Sequence, residues 1–222
     1  MKKRKMQSVA LFDVDGTLLD SAKIWQSIPV EYLLSRGIQP TEEIRELFAR
    51  LGYSGSARYL QAQYFTGEDP HTIMDGFCRI AACRYKDGVT EKPGAAAYLR
   101  YLKQKGVRCS ALTSNLRDIV LPALEQLGML ENFDRVTSIY DVGMDKRSPE
   151  IFRYMAQHLD TLAQDCVVFE DALFAAQSAK NAGMRVVGVF DCCASHEWQR
   201  MQQIADRSIH SYEELIEYDV FA

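Results

Sequence analysis

The 222-residue sequence lacks any run that approaches the roughly 20 apolar residues of a membrane-spanning helix. After the basic start MKKRK, which we expect to be a solvated, frayed terminus, the residues MQSVALFDVDG offer no apolar stretch long enough for a signal peptide. Basic residues are also not in excess, and the net charge of -4 provides no global attraction for nucleic acid. We therefore expect a cytoplasmic protein that binds neither a membrane nor a nucleic acid.

Cysteine and histidine are too scattered for a zinc site of the usual spacing. None of the six cysteines forms a C-x-x-C pair, and the four histidines do not cluster with them. Several cysteines lie in apolar segments, where a free thiol behaves as a small hydrophobic side chain, and a reducing compartment is expected. The adjacent Cys192 and Cys193 could be redox-active, although surface or structural thiols are the favoured interpretation.

Short, β-branched apolar runs recur along the chain and alternate with helical patterns. The runs occupy residues 9–12, 107–112, 135–139, 166–169 and 185–189. Stretches with the helical period that end in glycine lie between most of them, at 95–106, 119–128 and 173–183. This alternation predicts an α/β fold, with a doubly wound, Rossmann-like parallel sheet covered by helices on both faces.

The alternation fails in one region, where only helices are predicted. The segments 41–52 and 69–85 each begin with a capping residue and then place apolar residues at the helical spacing. We therefore predict a helical cap domain over residues 21–89, inserted into a catalytic core formed by residues 1–20 and 90–222.

The segment FDVDGTLLD ends the first predicted strand with two aspartates. Because residues i and i+2 of a strand point the same way, Asp13 and Asp15 would face one cleft at the carboxyl end of the sheet. Two carboxylates this close need a cation beside them, or one of them must hold a proton. Mg²⁺ suits carboxylates and a backbone carbonyl, and Gly16 would allow a sharp turn. An acidic turn without function is the alternative.

Three later stretches place further polar groups at the ends of strands or the starts of helices. In ALTSN, Ser114 and Asn115 could hold a phosphoryl oxygen. In KRSPEIF, Lys146 could neutralise phosphoryl charge and the nearby carboxylates. In VVFEDA, Glu170 and Asp171 supply two more carboxylates. Each stretch taken alone is more often a helix cap or a solvated side chain.

In this order, DVDGT, TSN, KRSPEIF and VVFEDA resemble the four motifs of the haloacid dehalogenase (HAD) superfamily. The helical insertion after the first motif resembles the branch of phosphatases and β-phosphoglucomutases with a helical cap. The resemblance covers nearly the whole chain, and D-x-D-G-T after an apolar strand is its most specific motif. It implies that Asp13 is the nucleophile that forms an aspartyl-phosphate and that Asp15 is the general acid and base.

The same resemblance implies a role for the other matched residues. Ser114, with Asn115 beside it, corresponds to the hydroxyl position that holds the phosphoryl group, and Lys146 corresponds to the stabilising lysine. The cofactor implied is Mg²⁺, and its implied ligands are Asp13, Asp15, Glu170 and Asp171.

Four positions depart from the family pattern or bear on the reaction class. Arg147 follows the lysine where the family often has proline, and Phe174 stands where a small residue is common. Asp15 favours phosphoryl transfer, because family members that cleave carbon–halogen bonds lack this second aspartate. Trp25 stands where sugar phosphomutases of this branch carry a histidine, which favours a hydrolase over a mutase.

The stretch RLGYSGSARYL, residues 50–60, resembles the cap loop that covers the active site in this branch. Arg50, Tyr53 and Arg58 are the candidate substrate contacts there, although arginines on cap helices are more often simply exposed.

We thus expect an Mg²⁺-dependent phosphatase that hydrolyses a small-molecule phosphate monoester. A phosphosugar mutase is the alternative within the same family. A phosphorylated signalling domain and a catalytically silent binding protein are the alternatives from other classes. The oligomeric state is left open between a monomer and a weak dimer.

Overall fold

The computed structural model describes residues 8–221, apart from the side chains of Ser54 and Pro70, so the MKKRK start lies outside the described residues. Two compact units divide the chain. The core unit runs up to Asp20 and continues from Thr90, and the helical unit is Ser21–Val89. None of the described helices is both long and apolar enough to cross a bilayer.

The core unit is built on one sheet of six parallel strands. In chain order they are β1 (Val9–Phe12), β2 (Arg108–Thr113), β3 (Arg135–Ser138), β4 (Cys166–Glu170), β5 (Arg185–Val189) and β6 (Arg207–Ile209). Their spatial order is β3-β2-β1-β4-β5-β6, with every neighbouring pair parallel. The predicted doubly wound α/β fold is confirmed, and five of the strands match predicted runs. The sixth strand was not predicted.

Nine α-helices are described along the chain. The helical unit holds α1 (Ala22–Ser35), α2 (Glu42–Gln63) and α3 (Pro70–Gly88). The core unit holds α4 (Ala95–Gln104), α5 (Arg117–Gln126), α6 (Ile139–Val142), α7 (Pro149–His158), α8 (Leu173–Asn181) and α9 (Trp198–Ile204). Short 3₁₀ turns occur at Leu130–Asn132, Ala163–Asp165, Cys192–Glu197 and Tyr212–Leu215.

The side chains of each strand alternate between the two faces of the sheet, and both faces are buried. Val9 and Leu11 of β1 belong to the hydrophobic cluster that includes Phe152 of α7 and residues of α8. On the opposite face Phe12 stacks on Phe169 of β4, with ring centroids 4.3 Å apart. This arrangement explains why the strands read as continuous apolar runs.

The two connections between the units leave the core unit side by side. The Asp20 amide donates to the Thr90 carbonyl at 2.8 Å, and Leu19 forms an antiparallel bridge with Glu91. The outgoing and returning segments are therefore hydrogen-bonded to each other at the point where the insertion begins and ends.

The second helix corrects one prediction from the sequence. The expected helix 41–52, followed by a loop over 50–60, is instead a single helix, α2, that is kinked at Gly52. Gly52 leaves the helical conformation with φ of 63° and ψ of 177°, and the helix resumes directly after it. A left-handed φ of this kind suits glycine, so one residue produces the change of direction that the sequence suggested for a whole loop.

Candidate active site

The sheet order places the predicted carboxylates at a topological switch point. The chain proceeds from β1 to β3 on one side of the sheet and from β4 to β6 on the other, so the direction reverses between β1 and β4. In open α/β sheets, ligands bind in the crevice outside the carboxyl ends of such strands. Asp13 directly follows β1, and its amide donates to Phe169 of β4 at 2.9 Å. Glu170 ends β4, and Asp171 comes next.

A buried lysine joins two of these carboxylates. The Lys146 ammonium donates to Oδ1 of Asp13, and also to Oε2 of Glu170 at 2.9 Å. Oε1 of Glu170 in turn accepts from the Ala172 amide at 3.1 Å. All three charged side chains are buried, with Lys146 only 3% exposed, so their attraction is little screened by water. The segment between α6 and α7 thus delivers its lysine to the ends of β1 and β4.

The second aspartate is held by the end of β2. Nδ2 of Asn115 donates to Oδ2 of Asp15 at 3.2 Å. The Asn115 amide is oriented because its Oδ1 accepts from the Leu116 amide at 2.8 Å, while its backbone carbonyl accepts from the Ser138 hydroxyl at 2.6 Å. Ser114 is half-buried, and its hydroxyl has no hydrogen-bond partner among residues 8–221.

The position of Asp171 depends on two residues of the first motif. The buried Thr17 hydroxyl donates to Oδ1 of Asp171 at 2.8 Å. Gly16 has a φ of +85°, and a Cβ at this position would lie 2.5 Å from Oδ2 of Asp171. The backbone carbonyl of Thr17 accepts from the buried Tyr212 hydroxyl at 3.2 Å. Sequence reasoning missed Thr17, although the motif contains it, and nothing local to Tyr212 could have indicated its contact.

The site contains more acidic than basic side chains. Burial, and then the charge of Glu170, raise the pKa of Asp13 to about 7 despite the opposing effect of Lys146. Burial and then Glu170 and Asp13 raise the pKa of Asp171 well above its ordinary range. Burial alone would lower the pKa of Lys146, but attraction to Asp13 and Glu170 raises it, so the ammonium persists. One buried cation therefore faces three carboxylates.

The donor set fits a hard divalent cation. One oxygen from each of Asp13, Glu170 and Asp171 lies within 4.8 Å of the other two. Carboxylate oxygens are the ligands that Mg²⁺ prefers, and a divalent charge would relieve the repulsion that, after burial, contributes to the raised pKa values of Asp13 and Asp171.

The sequence profile of the haloacid dehalogenase-like hydrolases matches residues 10–189, which include Asp13, Asp15, Lys146, Glu170 and Asp171. The chain belongs to this family.

Individual members of the family and solved structures agree with this assignment. Fructose-1-phosphate phosphatase YqaB of Escherichia coli (strain K12) is 29% identical over 189 residues, 81% of this chain and 94% of that protein. The chloroplastic protein SUPPRESSOR OF QUENCHING 1 of Arabidopsis thaliana is 30% identical over 82% of this chain, which spans only 18% of that longer protein. A crystal structure of CbbY from Rhodobacter sphaeroides in complex with phosphate is 25% identical, with a TM-score of 0.78, over 95% of this chain and 96% of that one. The predictions of a haloacid dehalogenase-like protein and of a phosphoric monoester hydrolase are confirmed.

The two departures from the family's motifs contact each other in the core unit. The guanidinium of Arg147 lies over the ring of Phe174, with its central carbon 4.4 Å from the ring centroid. Arg147 also donates its backbone amide to Asp145 Oδ1 at 2.7 Å. The stack joins the segment that carries Lys146 to the first turn of α8, which follows the acidic pair.

The candidate substrate contacts lie on α2 in the helical unit. Arg50 and Arg58 are exposed, whereas Tyr53 is half-buried with its ring centroid 5.2 Å from that of Trp25. Nε1 of Trp25 donates to the Tyr85 hydroxyl at 2.9 Å. Trp25 and Tyr53 therefore belong to an aromatic cluster within this unit. Substrate contact by Arg50, Tyr53 and Arg58 stays a prediction.

Proposed function

We propose that this HAD-like hydrolase removes phosphate from a small phosphorylated sugar or sugar alcohol, with Asp13 as the nucleophile and Mg²⁺ as the cofactor. The observation that carries the proposal is the buried contact of Lys146 with both Asp13 and Glu170, beside Asp171 and at the switch point of the sheet. Such an arrangement concentrates an oriented carboxylate and a fixed positive charge where a phosphoryl group would enter. The substrate class follows the similarity to a fructose-1-phosphate phosphatase.

In the first step, a carboxylate oxygen of Asp13 attacks phosphorus, and the bond from phosphorus to the ester oxygen breaks. Asp15, holding a proton, gives it to the leaving oxygen, so the alcohol departs neutral. Lys146 keeps Asp13 oriented and offsets the phosphoryl charge, and the Asn115 amide orients Asp15. The Ser114 hydroxyl is proposed to bind a phosphoryl oxygen.

In the second step, the aspartyl-phosphate is hydrolysed. Asp15 now takes a proton from water, and the water oxygen attacks phosphorus. The bond from phosphorus to Asp13 breaks, which releases inorganic phosphate and restores both carboxyl groups. Bound Mg²⁺, held by Asp13, Asp171, the Asp15 carbonyl and Glu170, would supply positive charge to the phosphoryl oxygens.

The helical unit is proposed to recognise the rest of the substrate through Arg50, Tyr53 and Arg58. A hydrolase is favoured over a mutase because the indole of Trp25 cannot exchange a proton as a histidine would, and its N–H is committed to Tyr85. A reducing compartment is also proposed, because all six cysteines are free thiols.

Phosphate release tests the proposal. We expect Mg²⁺-dependent hydrolysis of p-nitrophenyl phosphate and of some members of a panel of sugar and sugar-alcohol phosphates. EDTA should abolish it, and Asp13→Asn should lower kcat by at least about 10³-fold because the nucleophile is lost. Asp118→Asn, which removes an exposed aspartate of α5, is the matched control and should retain activity. Normal turnover by Asp13→Asn would refute the assigned mechanism, and a wild type inactive on every ester would refute the assigned function.

A further inference from the structure

A second cluster of possible ligands lies just beyond the end of β5, and the catalytic proposal does not use it. Asp191 is buried, with 2% of its surface exposed. Cys192 is exposed and Cys193 is partly buried, and both belong to the 3₁₀ turn that follows. One ligand atom from each of the three residues lies within 4.8 Å of the other two.

The separation of the two thiols suits a metal better than a disulfide. Their Sγ atoms are 3.9 Å apart. Two sulfurs bound to one tetrahedral metal through bonds of about 2.3 Å would be about 3.8 Å apart. A disulfide needs sulfurs about 2.05 Å apart on residues whose Cα atoms are usually at least about 4.4 Å apart. Adjacent residues provide only about 3.8 Å between Cα atoms across a trans peptide bond.

The carboxylate of Asp191 is fixed beside these thiols. Its Oδ2 accepts from the buried ammonium of Lys92 at 2.6 Å, and its Oδ1 accepts from the Cys193 amide at 2.8 Å. Lys92 is itself held by the Phe190 carbonyl at 3.1 Å. Because a carboxylate oxygen has two lone pairs, Oδ1 can keep its amide bond and still bind a cation.

We propose that Asp191, Cys192 and Cys193 form a second metal site, for a thiophilic divalent cation of the Zn²⁺ class. Each thiol releases its proton to solvent as its sulfur binds the metal, and Asp191 contributes one oxygen. The exposure of Cys192 leaves the fourth position accessible to water. Mg²⁺ binds oxygen ligands, so the thiol site and the acidic cluster of Asp13, Glu170 and Asp171 select different ions.

Cobalt titration of the reduced, full-length chain in saturating Mg²⁺ tests the site. Co²⁺ bound by thiolates shows a sulfur-to-metal charge-transfer absorption. Zn²⁺ should displace the Co²⁺ and so abolish this absorption. We expect one equivalent to bind, and Cys192→Ser or Cys193→Ser to weaken Co²⁺ binding at least about tenfold and to reduce the absorption. Cys83→Ser removes an exposed thiol of α3 and is the matched control, with no expected change. This readout is independent of phosphatase activity.

Alkylation gives a second measurement that needs no substitution. Bound Zn²⁺ should protect Cys192 of the folded wild type from iodoacetamide and leave Cys83 reactive. The proposal is overturned if the wild type shows no charge-transfer absorption. It is equally overturned if the absorption survives in the double variant Cys192→Ser/Cys193→Ser, or if Zn²⁺ leaves the alkylation of Cys192 unchanged.

Discussion

At the scale of single residues, Gly16 is the position where a side chain would most disturb the acidic cluster. An added Cβ would lie 2.5 Å from Oδ2 of Asp171, and the φ of +85° adds strain for any other residue. We expect Gly16→Ala to raise the Mg²⁺ concentration needed for half-maximal activity at least about tenfold, because displaced ligands typically cost that much affinity. Steady-state rates measured against Mg²⁺ concentration provide the check.

Gly106→Ala is the matched control for this substitution. Gly106 has a φ of +73°, but nothing lies within 4 Å of its added Cβ. It therefore carries the same kind of backbone strain without the collision. Equal losses of Mg²⁺ affinity in both variants would show that strain, and not displacement of Asp171, causes the effect.

Thr17 offers a second test at this scale, because its hydroxyl positions Asp171 without touching the substrate. Thr17→Val preserves the shape of the side chain but removes the 2.8 Å hydrogen bond to Asp171. We expect weaker Mg²⁺ activation, by about tenfold, with kcat at saturating Mg²⁺ little changed. Activity should be measured as a function of Mg²⁺, so that the two parameters separate.

The control for Thr17→Val is Thr137→Val in β3. Thr137 is also buried, but its hydroxyl has no hydrogen-bond partner within the described part of the chain. This variant should keep wild-type activation and unfold at the same or a higher temperature, because an unpaired buried hydroxyl is replaced by a methyl group. A loss of kcat in Thr17→Val with unchanged Mg²⁺ affinity would contradict the positioning role.

The residues that the sequence could indicate are those tied to strand ends. Asp13 and Glu170 lie at the ends of apolar runs, and the carboxyl ends of parallel strands meet along one edge of a sheet, so their proximity could be predicted. The hydrogen bond from the Tyr212 hydroxyl to the Thr17 carbonyl joins positions 195 residues apart, and no local sequence pattern indicates it. The pair formed by Lys92 and Asp191 was missed for the same reason.

At the scale of secondary-structure elements, Asp206 connects the edge of the sheet to α8. Its carboxylate accepts from Lys180 at 2.8 Å and from the Val186 amide at 2.7 Å. Burial alone would raise the pKa of Asp206, but these two donors lower it below its ordinary value of 3.8. Stability from a lowered carboxyl pKa is present above the unfolded value and is lost as the pH falls through the folded value.

We therefore expect Asp206→Asn to destabilise the protein at pH 7 and progressively less below pH 4. The difference at pH 7 should be about 1 kcal/mol, because the half-exposed pair with Lys180 is screened by water and the neutral asparagine oxygen accepts a weaker hydrogen bond from the Val186 amide than the carboxylate does. Urea unfolding of both proteins between pH 3 and pH 7 measures it. A difference that stays constant across this range would show that the charge of Asp206 is not responsible.

Strands were predictable where nearly all of their residues are buried. The strands β1, β2, β4 and β5 are almost wholly buried and read as apolar runs, whereas β6 has three residues, of which Arg207 is exposed. Too little apolar pattern remains in β6 for detection, and its place is set by pairing with β5. Similarly, the glycine at 52 signalled a change of direction, but the sequence could not distinguish a kink from a loop.

At the scale of the whole molecule, the paired connections predict that the core unit folds without the helical unit. The Asp20 amide is bonded to the Thr90 carbonyl, so a linker of about four glycine and serine residues can replace residues 21–89 at small entropic cost. We expect this shortened chain to unfold cooperatively on heating. It should also hydrolyse p-nitrophenyl phosphate while losing discrimination among sugar phosphates. Calorimetry and the substrate panel provide the measurements.

Residues 21–89 expressed alone serve as the complementary control, since this unit has its own buried aromatic contacts among Tyr32, Phe65 and Phe77. A shortened chain that shows no cooperative transition would mean that the core unit depends on the insertion. Retained discrimination among sugar phosphates would instead assign specificity to the core.

The hydrogen bond between Asp20 and Thr90 also has a consequence for evolution. The helical unit is one continuous segment of the chain, and its two junctions are neighbouring positions in space. A recombination event that exchanged this segment would leave the sequences of all the core motifs unchanged, because they lie before and after it. New substrate preferences could therefore arise in a single genetic step, while the reaction chemistry is inherited unchanged.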